Sequence, residues 1–169
     1  MSRPVTGEYA PNFEGYISLV KEENITAVIK EHSAALSTFY NALPENKADY
    51  AYSSGKWTIK EVLQHVIDAE RVFSYRLLRI ARNDKTPLPG FDENAFAGNA
   101  SVADRTLQSL KEEFNAVRTS TEYLLKSLGE TQLQYKGTSS GYPTTAGAFS
   151  YIVYGHLLHH KQILEERYL

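Results

Sequence analysis

Leu107, Leu110, Phe114, Val117, Thr121, Leu124 and Leu128 follow one another at steps of three and four residues. That spacing lays one stripe along a helix, and a stripe of this kind is buried only against other helices. It predicts a helix from about Asp104 to Leu128, with Gly129 placed to stop it. A second stripe, Ile25, Ile29, His32, Leu36, Phe39 and Leu43, predicts a helix from about Ser18 to Leu43. It must end before Pro44, because the residue preceding a proline avoids the helical region. Thr58-Ile59-Lys60-Glu61 fits a capping box and opens the second helix in chain order. Its apolar side is Ile59, Val62, Val66, Phe73, Leu77 and Ile80, and it runs to about Ala81. A last helix, capped by Thr144 or Thr145, reaches about Tyr168. The connections carry no period: Asn83 to Ser101 is broken by Pro87, Pro89, Gly90 and Gly98, and Gly137, Gly141 and Pro143 interrupt the other. No segment demands a strand. The expectation is an all-α chain, a four-helix bundle with one domain over residues 1–169. The long connection after the second helix allows either an up-down-up-down or a crossover path, and has the length of a lid.

Composition narrows the function. A chain of 169 residues can bury a real core. A net charge of −2 gives no basic excess, so no nucleic-acid partner is expected. Arg76, Arg79 and Arg82 form the one basic cluster, which Asp68, Glu70 and Asp84 offset, so it reads as a solvated helix face. No apolar run approaches a membrane span and the first residues lack a signal-like core, so no membrane and a cytoplasmic location are expected. The sequons at Asn24 and Asn99 carry little weight in that setting. Cysteine is absent, so any metal site must use nitrogen and oxygen ligands.

The informative residues lie on the last helix. Phe149, Val153, His156, His160, Ile163 and Arg167 share one stripe, so two histidines occupy the seam facing the bundle interior. At i and i+4 their rings stand one turn apart, the geometry with which a helix chelates a metal. His159 is a geometric alternative to His160. His65, at the edge of the second helix's apolar stripe, can join them if the two helices are neighbours. A buried histidine can also be a hydrogen-bonded core residue, but two on one stripe each need a partner for their ring nitrogens. His32 has no second histidine at helical spacing and is taken as structural. Glu61, Asp68 and Glu70 flank His65; each is first an exposed carboxylate, with Glu61 capping its helix, and second a ligand or support. Trp57 stands where a hydrophobic staple would pack. Most of the twelve tyrosines, Tyr151 and Tyr154 among them, are expected to pack with a wet hydroxyl.

These residues resemble a known family. The run from Lys56 through Trp57, Thr58, Glu61 and His65 to Glu70 is similar to the DinB/YfiT-like pattern of Trp, Ser or Thr, then Glu, then His. Gly155-His156-Leu157-Leu158-His159-His160, with Ile163 to Tyr168, resembles the family's C-terminal signature, and Leu88 to Asn94 resembles the loop of one bacterial branch. The resemblance covers nearly the whole chain. It implies a four-helix bundle, usually a homodimer, with one divalent metal ion, zinc or nickel, on His65, His156 and His160, which selects His160 over His159.

The activity it implies is a metal-dependent enzyme acting on a small-molecule substrate. Some relatives transfer low-molecular-weight thiols such as bacillithiol or mycothiol to electrophiles, or isomerise maleylpyruvate with a thiol cofactor. The leading expectation is therefore a thiol-S-transferase or a hydrolase, with a low-molecular-weight thiol as a candidate cosubstrate and Glu61 or Asp68 as candidate base. The alternative is a non-catalytic metal-binding or stress-response interaction module.

Overall fold

Thr58 begins its helix as its side chain dictates. In a computed structural model of the chain, which describes residues 3–169, the Thr58 hydroxyl accepts from the Glu61 backbone N–H, and the Glu61 carboxylate accepts from the Thr58 N–H at 2.7 Å. This capping box opens α3, Ile59–Ala81, and Asn83, two residues past its end, takes a left-handed φ of 60°. Met1 and Ser2, the first residues of the domain expected over 1–169, lie outside the described residues.

The other bundle helices are α2 (Ile25–Asn41), α5 (Leu107–Lys126) and α7 (Ala146–Arg167). Asn24, Thr106 and Thr145 cap them by accepting a backbone N–H three residues on. Thr145, rather than Thr144, is thus the cap of the last helix. Short helices α1 (Glu14–Leu19), α4 (Glu93–Asn99) and α6 (Glu130–Leu133) fill the connections.

Three expectations are corrected. The helix expected from Ser18 to Leu43 is two helices: Val20 is extended, and Asn24 takes the N-cap of α2, so α1 turns away to pack on α7. Gly129 does not end α5, which stops at Lys126; it caps α6 instead, with its N–H donated to Gln132 Oε1 at 2.7 Å. The second connection holds an antiparallel hairpin, β1 (Lys136–Ser139) and β2 (Tyr142–Thr145). Its two-residue turn, Ser140-Gly141, has positive φ at both positions, 52° and 82°, the I′ geometry that suits a tight hairpin.

α3 packs against α7 and α5, and α2 packs against the same two. The ring order is therefore α2-α5-α3-α7, and the chain-consecutive pairs α2/α3 and α5/α7 lie across diagonals. The arrangement is a four-helix bundle, but not the simple up-down-up-down ring. Because α3 and α7 are neighbours, the second- and fourth-helix histidines can meet. One continuous core runs from Tyr9 to Tyr168. Every residue of α7 from Ala146 to Leu157 is buried, as a helix enclosed on all sides must be.

Close approach is written into α7. A Cβ on Gly155 would stand 2.1 Å from the Tyr16 carbonyl oxygen, so only glycine lets the α1 backbone lie on the helix there. The long connection is tied down as well: the Leu88 N–H donates to Thr138 O and the Ser140 N–H to Leu88 O, both at 2.9 Å. Asp92 caps α4 through the N–H groups of Asn94 and Ala95. These bonds place residues 89–93 across one end of the α3/α7 groove.

Candidate metal centre

His65 comes from α3, His156 and His160 from α7. Nε2 of His65 lies 3.0 Å from Nε2 of His156 and 3.1 Å from Nε2 of His160, and all three ligand atoms fall within 4.8 Å of one another. Among the described residues this is the one group of three or more His, Cys, Asp or Glu side chains close enough to hold a metal. His159, the alternative that spacing left open, stays half-buried beside Tyr16 and is not part of the triad.

Burial makes the three rings ligands rather than cations. Desolvation lowers the pKa of His65 to about 4, and holds His156 and His160 well below the ordinary histidine value, with the neighbouring imidazoles adding to it. Three neutral lone pairs then point at one spot. The donor set fits a divalent ion: with metal–nitrogen bonds of about 2.0–2.1 Å, ligand nitrogens sit about 2.8–3.4 Å apart for angles from octahedral to tetrahedral, and the two separations from His65 fall in that range. Rings hold the triad in place. Tyr16 and Phe73 meet His156 edge-on at 5.3 and 5.4 Å between centroids, and Trp57 lies 4.9 Å from His65.

The triad borders a cavity of about 270 Å³. Its walls are Tyr16 from α1, Trp57 ahead of α3, Phe73 and Arg76 from α3, and Phe91, Glu93 and Ser140 from the connections. Trp57, expected as a staple, packs on the core but also lines this cavity. Glu93 is exposed at the mouth, and its charge raises the pKa of both His65 and Tyr16 against the larger effect of burial on His65.

The flanking carboxylates behave otherwise. Glu61 is spent on the capping box, as expected. Asp68 accepts from Gln64 Nε2 at 3.0 Å and does not line the cavity. Glu70, expected to be exposed, is 2% exposed and paired with Arg118 of α5 at 2.8 Å. The basic cluster divides too. Arg79 pairs with Asp84 and Arg82 is exposed, but Arg76, read as part of a solvated face, is 3% exposed and turned into the cavity. His32 bonds Glu22 at 3.1 Å, a structural contact as expected. Tyr151 and Tyr154 do not have wet hydroxyls: Tyr151 donates to Glu22 O at 2.9 Å and Tyr154 meets Ser33 Oγ at 2.7 Å.

Glu93, Tyr16 and Arg76 were missed from sequence. Glu93 lies in a motif with no role assigned to it, and Tyr16 precedes the first helix expected from the sequence. Arg76 carried a usable signal: it lies three residues after Phe73 and eleven after His65, so it shares their face of the helix.

Over 98 residues the chain is 28% identical to the Bacillus subtilis (strain 168) protein named "Putative metal-dependent hydrolase YfiT", a match covering 57% of this chain. It spans about half, 53%, of that relative's length. The solved structure of YfiT from Bacillus subtilis, described as having an unusual four-helix bundle topology, superposes with a TM-score of 0.65 at 18% identity, over 95% of this chain and 94% of that one. A DinB-like protein of Bacillus subtilis, YjoA, gives 0.58 at 18% identity over 84% and 87%. At that identity both likenesses bear on the fold alone. The family model described as DinB superfamily matches residues 29–164, a stretch that contains α3, the hairpin and all three histidines of the triad. By that match the chain belongs to the DinB superfamily.

Proposed function

We propose that His65, His156 and His160 hold one divalent metal ion and that the chain is a metal-dependent hydrolase of a small-molecule substrate. The observation that carries this reading is the convergence of three neutral imidazoles on the wall of an accessible cavity. Zinc or nickel suits a set of three imidazoles. Bound there, such an ion supplies Lewis acidity, which polarises a substrate oxygen and eases loss of a proton from water or a thiol beside it. The protein's own part is positioning and proton transfer. Glu93 stands at the cavity mouth, is not engaged as Glu61 and Asp68 are, and serves as the base whose carboxylate takes the proton from the attacking water. Tyr16, Phe73 and Phe91 exclude bulk water and seat the apolar part of the substrate. The relative named as a metal-dependent hydrolase supports the same class of reaction.

Thiol transfer is a second reading of the same site. The chain contains no cysteine, so a thiolate there comes from a low-molecular-weight thiol, and the aromatic walls suit an apolar electrophile. A homodimer and a single domain over residues 1–169 belong to this proposal, with mass in solution and limited proteolysis as their tests.

One comparison separates the readings. Metal-loaded protein, Glu93→Gln and His156→Ala/His160→Ala are given activated esters and amides, then a thiol with a model electrophile. Hydrolysis that needs the histidines and Glu93 supports the first reading. Thiol loss that needs the histidines, without hydrolysis, supports the second. Equal rates in all three proteins contradict both.

A further inference from the structure

Arg76 is the one charged group of the cavity wall that nothing in the protein explains. Its side chain is 3% exposed, yet only Nη2 is engaged, and with neutral acceptors: Pro89 O at 2.7 Å and Ser140 Oγ at a long 3.4 Å. Among the described residues it has no carboxylate within ion-pair distance, whereas the other buried arginine, Arg118, is paired with Glu70. Burial alone lowers its pKa, with no neighbouring charge opposing it. An uncompensated buried cation is costly, and a guanidinium has five donors to satisfy.

We propose that Arg76 binds a carboxylate carried by the substrate, at the end of the cavity away from the three histidines. This rests on the metal-site reading, since it assigns the two ends of one ligand. The Phe91 ring stands against the guanidinium, 5.5 Å from Cζ to the centroid, and neither Nε nor Nη1 has an acceptor among the described residues. Nη1, with the Nη2 hydrogen that now makes only the long Ser140 contact, gives a carboxylate two parallel hydrogen bonds. Pro89 and Ser140, from two different connections, accept from Nη2 and hold the group in place.

Charge favours a carboxylate over a phosphate. Arg76 is the only Lys or Arg lining the cavity, so a single carboxylate matches its one positive charge and a dianion exceeds it. Length follows from α3. Eleven residues separate His65 and Arg76, about 16 Å between their Cα atoms along the axis at 1.5 Å per residue, a span that the Arg76 side chain shortens by leaning toward the helix N-terminus. Phe73 lies between them, touching His156 on one side and Phe91 on the other. The substrate is therefore elongated, with its reacting group at the histidines, an apolar middle on Phe73, and a carboxylate at Arg76.

The test uses a ligand with the same two ends. Suberic monohydroxamate, which chelates a metal at one end and carries a carboxylate at the other, is compared with its terminal-amide and terminal-phosphonate analogues. Binding to the metal-loaded protein is followed by the fluorescence of Trp57, the only tryptophan, which lines the cavity. The carboxylate probe should bind about 10- to 100-fold more tightly than the amide, the range expected of hydrogen bonds to a charged group. In Arg76→Met that preference should vanish while amide-probe affinity and metal content stay unchanged. Arg76→Lys keeps the charge without the fork, folds if the methionine variant does not, and should retain part of the preference. Equal affinities of the carboxylate and amide probes for the unmodified protein overturn the role of Arg76 and leave the metal reading standing. Preference for the phosphonate overturns the carboxylate. Failure of every probe in protein that takes up no metal overturns the metal reading and this proposal together.

Discussion

His156 shows how much one residue's position decides. Sequence spacing alone put it and His160 on a buried stripe, and the structure puts their Nε2 atoms within reach of His65 Nε2. His65→Ala and His156→Ala should each bring bound metal close to zero, while His159→Ala should retain it; metal content by mass spectrometry checks this, and equal retention in all three would remove the triad as the ligand set. Glu93→Gln should lower turnover by about 10²–10⁴-fold, the usual contribution of a positioned base, with metal content unchanged. Legibility failed where charge was read without phase. Arg76 looked like part of a solvated cluster because Arg79 and Arg82 follow it, although its register with His65 and Phe73 turned it inward. Glu93 is placed by a capped turn and a parallel bridge at Leu88, and no local pattern encodes which side chain such a turn will point at a site.

Local signals served well where a side chain bonds its own backbone. The Thr58–Glu61 box and the Thr145 cap start α3 and α7, the two helices that carry the triad. Thr58→Ala should cost about 1 kcal/mol in denaturant unfolding. Signals were lost where a polar residue interrupts a stripe that otherwise continues: Asn24 caps α2 and so splits one expected helix in two. The hairpin was missed because its strands are four residues each, too short for alternation, although Ser140-Gly141 is a turn signal. Packing between elements gives sharper tests. Gly155→Ala should destabilise by about 1–3 kcal/mol or more, because the added methyl must push back the Tyr16 backbone rather than a flexible side chain. The same shift should loosen Tyr16 from the cavity wall. Arg118→Met leaves Glu70 buried and unpaired and should cost about 3–5 kcal/mol, most of which Glu70→Leu/Arg118→Met should recover. A double variant no better than the single would show that packing, not the lone charge, sets the loss.

At the scale of the molecule, the four helices were legible and their order in the ring was not. A stripe tells a helix to bury a face, but it does not say against which neighbour, and connections this long permit both diagonals. The diagonal placement of α2 and α3 is what sets α3 beside α7 and brings the histidines together. No helix among the described residues is long and apolar enough to cross a membrane. A metal held between α3 and α7 would bind the folded chain more tightly than the unfolded one, and so would raise stability. Its removal by a chelator should lower the melting temperature, and the His156→Ala/His160→Ala variant should show no such response. Elemental analysis of the untagged protein, purified without added metal, decides whether the triad is a metal site. About one zinc or nickel ion per chain is expected, lost in His156→Ala/His160→Ala; a metal-free protein that takes up no divalent ion, or a variant that keeps the same content, would remove the site.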